Sequence, residues 1–156
     1  TIPSGPLREE LSSLKRADCI VINGEKNISI EKKIFSKNKL IKIFYTKYIP
    51  VNINDFKEKK VVAFAGIGNP INFFDLLKEN EINIIEKIKF PDHYSYTKKD
   101  LENLINKTRA NDAILLTTEK DFFRIAEDYK KYINYLKISV EMENENHFIE
   151  TIKKAI

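Results

Sequence analysis

The stretch VVAFAGIGNP, residues 61–70, decides the fold of this chain. Its first five residues are continuously apolar, as is typical of a central strand in a parallel sheet, where both faces are buried. Residues 66–69 (GIGN) then form a tight turn that contains two glycines. Pro70 favours a helix start because proline lacks the N–H that the first helical turn leaves unpaired, and Asn69 is a suitable N-cap. The stretch therefore predicts a strand, a turn and a helix that continues to about Asn80.

The same alternation continues along the rest of the chain. Further strands are predicted over residues 82–90, 113–117 and 133–142, and further helices over residues 97–109, 118–128 and 145–156. Thr97 with Asp100, and Thr118 with Asp121, have the spacing of capping boxes at two of the helix starts. Alternating strands and helices predict an α/β fold of the Rossmann-like three-layer kind, a mostly parallel sheet flanked by helices.

The first sixty residues have weaker patterns. We predict a short helix over 6–16, a buried strand over 18–23, a turn with a short strand and a connector over 25–39, a strand with one wetter face over 40–48, and a polar loop over 50–60. This loop is a plausible link between two structural units.

The composition indicates a globular protein with a sizeable core. The chain has 156 residues, of which 42% are apolar and 32% charged, and this excludes a disordered segment. The net charge of +4 comes from lysines spread along the chain, so the concentrated basic surface of a nucleic-acid binder is absent. Cys19 is the single cysteine, which excludes an internal disulfide. The chain does not begin with Met, and we expect it to be a piece of a longer protein.

The segment FPDHY, residues 90–94, is the strongest candidate for chemistry. It places His93 beside Asp92 directly after a predicted strand. The unperturbed pKa of histidine lies near neutrality, and a neighbouring carboxylate can orient the imidazole and stabilise its charged form. Ends of strands are also where α/β proteins collect active-site groups. The alternative that His93 is a structural histidine stays open.

Two further loops are expected at the same sheet edge. The GIGN turn could aim backbone N–H groups at an anion, although Ile71 occupies the third glycine position of a dinucleotide fingerprint. The segment TTEKD, residues 117–121, is either a capped helix start or a second ligand-facing loop that includes Lys120. The sequence contains no phosphate-loop motif, no cysteine or histidine cluster for zinc and no nucleophile elbow.

Taken together, these segments resemble the tetraacyldisaccharide 4'-kinase family, in its C-terminal half. The blocks that carry the resemblance, in order, are SGPLRE (4–9), LKRAD (14–18), NG (23–24), FAGIGNP (64–70) with FF (73–74), FPDH (90–93) and TTEKD (117–121). Their order and spacings are similar to those of the family, and they span nearly the whole chain.

The resemblance implies an enzyme of lipid A biosynthesis. Members transfer the γ-phosphate of ATP to the 4'-hydroxyl of a tetraacyldisaccharide 1-phosphate, require Mg²⁺ and work at the cytoplasmic face of the bacterial inner membrane, with peripheral membrane contact. They have two α/β domains joined by a β-stranded linker. This chain would then comprise the tail of the N-terminal kinase domain (1–24), the linker region (25–60) and the C-terminal domain (61–156). The phosphate loop, the acidic metal motif and the catalytic aspartate would lie in the missing N-terminal half. The partners of this chain would be that N-terminal half and the lipid A disaccharide precursor.

The resemblance also assigns residues. His93 matches the histidine that pairs with the catalytic aspartate, and Asp92 matches its neighbour. Glu9 matches an acid near the nucleotide and metal site, and Arg8 the basic residue before it. Residues expected to line the cleft are Gly66, Gly68, Asn69 and Lys120.

Two expectations follow from this assignment, and one alternative stays open. The chain alone should be inactive as a kinase, because the phosphate loop is its family's main means of holding ATP. Residues 20–22 should expose apolar surface, because their strand would have lost sheet neighbours. The alternative function is a freestanding α/β nucleotide-binding or interaction module whose Gly66 loop binds an anion.

Overall fold

The computed structural model describes residues 9–155, and the chain forms two compact units. The larger unit is Pro50–Ser139, and the smaller one contains the described residues up to Ile49 together with those from Val140. The family-based boundaries after residues 24 and 60 remain a prediction.

The helices and strands are numbered in chain order. They are β1 (Cys19–Asn23), α1 (Ile28–Phe35), β2 (Lys42–Pro50), β3 (Lys60–Ala65), α2 (Pro70–Glu79), β4 (Asn83–Lys89), α3 (Lys98–Asn111), β5 (Ile114–Thr118), α4 (Glu119–Phe122), α5 (Glu127–Lys130), β6 (Ile133–Leu136), β7 (Ile138–Met142) and α6 (Glu145–Ala155). Two 3₁₀ helices, Leu11–Arg16 and Ile53–Phe56, precede β1 and β3. No helix within residues 9–155 combines the length and the apolar character needed to cross a bilayer.

The larger unit contains a parallel sheet of four strands in the order β4-β3-β5-β6. The central strand β3 alternates between two apolar layers. Val61, Ala63 and Ala65 pack in one cluster with side chains of α2, and Val62 and Phe64 pack in the other with side chains of α3. Since successive side chains of a strand point to opposite faces, the two helices cover opposite faces of the sheet. The predicted α/β fold with flanking helices is confirmed.

The smaller unit contains a three-stranded sheet in the order β1-β2-β7, with β1 and β2 parallel. The prediction of one wetter face on β2 is wrong, because the neighbouring residues Phe44 and Tyr45, which lie on opposite faces of the strand, are both buried. Phe44 packs against the ring of Phe148 on α6, with the ring centroids 5.1 Å apart. Val21 of β1 is 44% exposed, and its neighbours in the strand are half-buried, in agreement with the expected apolar surface on this strand.

Two predictions of local structure in the first and last thirds of the chain are wrong. Residues 25–39 contain the helix α1, because the Asn27 side chain accepts hydrogen bonds from two N–H groups and caps a helix start. The helix predicted over 118–128 is two four-residue helices, α4 and α5. Ala126, with φ −59° and ψ 139°, has an extended backbone that separates them.

The strand predicted over 133–142 is also two strands, β6 in the larger unit's sheet and β7 in the smaller unit's sheet. They are separated at Lys137. Its N–H donates to the side chain of Asn52, and its C=O accepts from the N–H of Val51. Both backbone groups of Lys137 therefore bond to the segment before β3. In a continuous strand these groups would instead be needed for hydrogen bonds to a neighbouring strand.

Candidate active site

The carboxyl ends of β3, β4 and β5 meet at one edge of the larger unit's sheet, because the three strands are adjacent and parallel. This is the edge at which α/β proteins form ligand sites. The GIGN turn (66–69) follows β3, the FPDH segment (90–93) follows β4, and the TTEKD segment (117–121) spans the end of β5. The three loops singled out in the sequence are thus brought to one place.

Direct contacts join these loops. The N–H of His93 donates to the C=O of Gly66 at 3.1 Å, and the N–H of Gly66 donates to Oδ2 of Asp121 at 3.1 Å. A Cβ added at Gly68 would lie 3.3 Å from Oδ2 of Asp92, so the Asp92 carboxylate lies against the turn. Gly66 is buried, and both its backbone polar groups are bonded within the protein.

Asp121 lies at the centre of the three loops. Its side chain is fully buried. Oδ2 accepts from the N–H of Gly66 and from the hydroxyl of Thr118 at 2.7 Å, and Oδ1 accepts from the hydroxyl of Tyr96 at 3.0 Å and from Nη2 of Arg124 at 2.6 Å. A buried carboxylate is costly unless its charge is paired and its oxygens are hydrogen-bonded. Four donors, from the loops after β3 and β4 and from the segment 118–124, satisfy that requirement here.

Tyr96 fixes the loop after β4. Its ring packs edge-on against Phe64 of β3, with centroids 5.4 Å apart, and against Phe90 at 5.1 Å. Burial, followed by the negative charge of Asp121, raises the pKa of Tyr96 well above its ordinary value of 10.0. The hydroxyl therefore keeps its proton near neutrality and serves as a donor to Asp121.

Arg124 joins the network from the segment after α4. Its Nη2 donates to Oδ1 of Asp121 and also to the C=O of Gly66 at 2.9 Å. Its side chain is 26% exposed, yet Nη1 is buried and has no hydrogen-bond partner among residues 9–155. The carbonyl oxygen of Gly66 consequently accepts from two donors, Nη2 of Arg124 and the N–H of His93.

His93 is exposed and has a left-handed backbone, with φ 57°. This conformation is uncommon for residues other than glycine and persists where the surroundings determine it. Here the His93 N–H is held by the C=O of Gly66 and by Oδ1 of Asp92, the latter at 3.0 Å. Asp92 therefore contacts the backbone of His93, whereas the sequence suggested a carboxylate that orients its imidazole.

The remaining predicted cleft residues are exposed. Asn69 is the N-cap residue of α2, as predicted, but its side chain accepts no capping hydrogen bond. Its Nδ2 donates instead to the Asn72 side chain at 3.2 Å. Gly68 lies in the turn beside Asp92, and Lys120 on α4 contributes its C=O to Nε of Arg124 at 3.3 Å.

Of the two residues predicted at the nucleotide and metal site, the described one, Glu9, belongs to the smaller unit. Glu9 is exposed and forms an ion pair with Arg16 at 2.6 Å, and Arg8 lies outside the described residues. Within residues 9–155, no group of three His, Cys, Asp or Glu side chains is placed to hold a metal ion.

A cavity of about 460 Å³ lies elsewhere in the larger unit, between the segment 52–59 and the strand β6. None of the predicted site residues lines it. The predicted catalytic and cleft-lining residues therefore lie on the loops at the sheet edge and not in this cavity.

Comparison with known proteins gives a consistent result. The chain matches the family model described as tetraacyldisaccharide-1-P 4'-kinase over residues 1–156. It is 38% identical over 157 residues to the tetraacyldisaccharide 4'-kinase of Pelagibacter ubique, covering 99% of this chain and 50% of that protein. It is 39% identical over 155 residues to the protein of the same name from Rickettsia bellii, covering 98% and 47%.

A solved structure is similar over the same length. It is the "apo" form of LpxK from Aquifex aeolicus in complex with ATP, with a TM-score of 0.64 and 26% identity, covering 99% of this chain and 47% of that one. The chain therefore spans about half the length of the relatives it matches. Because the family model matches every residue and the relatives carry the same name, the chain belongs to the tetraacyldisaccharide-1-P 4'-kinase family.

Proposed function

We propose that this chain is the C-terminal part of a kinase that transfers the γ-phosphate of ATP to the 4'-hydroxyl of a tetraacyldisaccharide 1-phosphate, a step in lipid A biosynthesis. The observation that carries the proposal is the family match over all 156 residues. The solved relative in complex with ATP supports the nucleotide as phosphate donor.

In this proposal His93 assists the base that accepts the proton of the sugar hydroxyl. The base itself is an aspartate supplied by the rest of the full-length protein. The exposed position of His93 and its constrained backbone support this role, since left-handed residues other than glycine concentrate at functional sites. Asp92 contributes by holding the His93 N–H. Phosphoryl transfer depends mainly on positioning and charge neutralisation, so a fixed backbone at this residue is useful.

The other predicted site residues have supporting roles in the proposal. Gly68, Asn69 and Lys120 line the cleft and are exposed, as this role requires. Gly66 contributes through the shape of the loop, because its N–H and C=O already bond to protein groups. Glu9, together with the preceding Arg8, lies near the nucleotide.

The family implies Mg²⁺, but the described residues do not fit a complete site for it. Magnesium is usually held by one or two carboxylates together with substrate phosphates and water. Within residues 9–155, no group of three or more His, Cys, Asp or Glu side chains is placed to hold a metal ion without such a substrate. No step is therefore assigned to the metal. We place the groups that hold Mg²⁺ and the ATP phosphates in the rest of the protein. The full-length kinase would lie at the cytoplasmic face of the bacterial inner membrane, where its lipid substrate lies.

The test is His93→Ala in the full-length protein, with 4'-phosphorylation of the disaccharide 1-phosphate as the assay. If His93 assists proton transfer, kcat should fall by roughly 10²–10⁴-fold. The KM for ATP should change little, because the nucleotide is held mainly by other residues. The matched control is His147→Ala, since His147 is exposed on α6 in the smaller unit. Normal kcat in His93→Ala would remove the catalytic role of His93, and an inactive wild-type protein would remove the kinase assignment.

A further inference from the structure

Asp121 and Arg124 have no role in the proposed reaction, yet they lie between the loops that carry it. A capping role does not account for Asp121. Helix caps are typically near the surface and bond to their own helix, whereas Asp121 is fully buried, and two of its four donors, Gly66 and Tyr96, come from other loops. Moreover, the helix that it would cap, α4, has only four residues.

Two connections lead from Asp121 to His93. In the first, Oδ2 of Asp121 accepts from the N–H of Gly66, and the C=O of the same residue accepts from the N–H of His93. In the second, Nη2 of Arg124 bonds to Oδ1 of Asp121 and to that same carbonyl oxygen. Both backbone polar groups of Gly66 are thus hydrogen-bonded. Its C=O accepts from the N–H of His93, the residue with the left-handed backbone.

The loop that carries His93 is also held beyond that residue. The Tyr96 hydroxyl donates to Oδ1 of Asp121, the oxygen that accepts from Arg124. The segment from residue 93 to residue 96 is therefore bonded to the Asp121 network at both ends. Between these two points Tyr94 packs against Phe90, with ring centroids 4.9 Å apart, so little freedom is left in the loop.

We infer that Asp121 and Arg124 are positioning residues for His93: together they hold Gly66, whose carbonyl oxygen fixes the His93 backbone and thereby the direction of its imidazole. This inference rests on the proposed function of His93. Neither residue needs to touch a substrate. Since misplacement of a catalytic group by about 1 Å can lower a rate by about 10²-fold, loss of the network should be measurable in kcat.

The experiment is a double-mutant cycle in the full-length enzyme with His93→Ala, Arg124→Met and the double variant. Arg124→Met removes the Nη2 bonds but leaves Asp121 three donors. We expect kcat to fall by about 10–10²-fold with little change in the KM for ATP. In the His93→Ala background the same substitution should cause no further loss, because a residue that acts only through His93 has nothing left to position. Arg109→Met, an exposed arginine near the end of α3, is the matched control and should keep normal kcat.

A second measurement does not depend on activity. Hydrogen exchange of the His93 N–H, followed on a peptide that covers residues 92–96, should become faster in Arg124→Met and stay unchanged in Arg109→Met. Arg124→Lys, whose ammonium can still donate to both acceptors, should restore part of the protection and of kcat. If Arg124→Met does not fold, Tyr96→Phe replaces it in the cycle, because it removes one donor to Asp121 and no charge.

The outcomes separate this inference from the proposed function. A slow His93→Ala enzyme with normal kcat in Arg124→Met would overturn the inference alone. A loss from Arg124→Met that is equally large with and without His93 would also overturn it and make Arg124 a general stabiliser. Normal kcat in His93→Ala would overturn both proposals, since nothing would then be positioned.

Discussion

At the scale of single residues, Gly66 is the described glycine at which an added Cβ would meet the closest neighbours. A Cβ there would lie 2.8 Å from Oη of Tyr96, 3.2 Å from the C=O of Pro91 and 3.3 Å from Oδ1 of Asp121. The first of these distances is shorter than real Cβ contacts, and the second involves backbone. Glycine is therefore required by the close approach of two loops, and not by its own backbone dihedral angle.

Gly66→Ala should consequently destabilise the protein by about 1–3 kcal/mol, the usual cost of forcing an extra methyl group into packed surroundings. The matched control is Gly68→Ala. Its Cβ would lie 3.3 Å from Oδ2 of Asp92, the end of an exposed side chain that can move away. That change should stay within about 0.5 kcal/mol. Urea unfolding of both variants measures the difference, and equal values would contradict the packing argument.

Tyr96 gives a prediction about pH. Burial and the charge of Asp121 raise its pKa in the folded protein above 10.0, whereas in the unfolded chain the phenol ionises near about 10. Above that pH the unfolded state loses a proton that the folded state keeps, so the free energy of unfolding falls as pH rises. Tyr96→Phe has no phenol to ionise, so its free energy of unfolding should fall less than that of the wild type above about pH 10. Urea unfolding at neutral and alkaline pH tests it, and parallel losses in the two proteins would show that Tyr96 ionises normally.

At the scale of helices and strands, the start of α3 behaves as its local sequence predicts. Thr97 accepts from the N–H of Asp100, and the Asp100 carboxylate accepts from the N–H of Thr97 at 2.9 Å, which confirms the predicted capping box. Thr97→Ala should lower the free energy of unfolding by about 1 kcal/mol. Ser95→Ala, at an exposed serine in the preceding loop, is the control and should change little.

The same cap should depend on pH. Hydrogen bonds from the Thr97 hydroxyl and then from its N–H hold the pKa of Asp100 below its ordinary value of 3.8. A lowered carboxyl pKa stabilises the fold above the unfolded value, and this stability is lost as pH falls through the folded value. The difference in unfolding free energy between Thr97→Ala and the wild type should therefore narrow below about pH 4. A difference that stays constant into acid would contradict this account of the cap.

What the sequence could predict follows from how far each interaction reaches along the chain. The strand β3 and the cap of α3 depend on neighbouring residues and were predicted correctly. The position of Asp121 depends on bonds to Gly66 and Tyr96, which lie 55 and 25 residues away. In the sequence, the spacing of Asp121 from Thr118 is that of an ordinary helix cap. No neighbouring residue therefore indicates that Asp121 bonds to distant loops. The separation of β6 from β7 likewise depends on bonds of Lys137 to residues more than eighty positions earlier.

At the scale of the whole molecule, the described structure supplies one part of the proposed active site. The larger unit supplies the sheet edge, the fixed His93 and the network that holds it. The relatives that this chain matches are about twice as long as the chain itself. A full-length protein of that size would have room beyond this chain for the proposed catalytic aspartate and for the groups that bind the ATP phosphates.

This division predicts how the 156-residue chain behaves towards nucleotide. Phosphate-loop backbone and a lysine provide much of the binding to ATP phosphates in proteins that have this motif, and the motif does not occur in this sequence. The Gly66 N–H is already bonded to Asp121 and is therefore not free to bind an anion. We therefore expect calorimetric titration of the folded chain with MgATP to give no binding at micromolar concentrations, and titration of the full-length protein to give a clear signal. Micromolar binding by the chain alone would instead favour a freestanding nucleotide-binding module, and the Gly68 and Asn69 side of the turn would be the first place to look for its phosphate contacts.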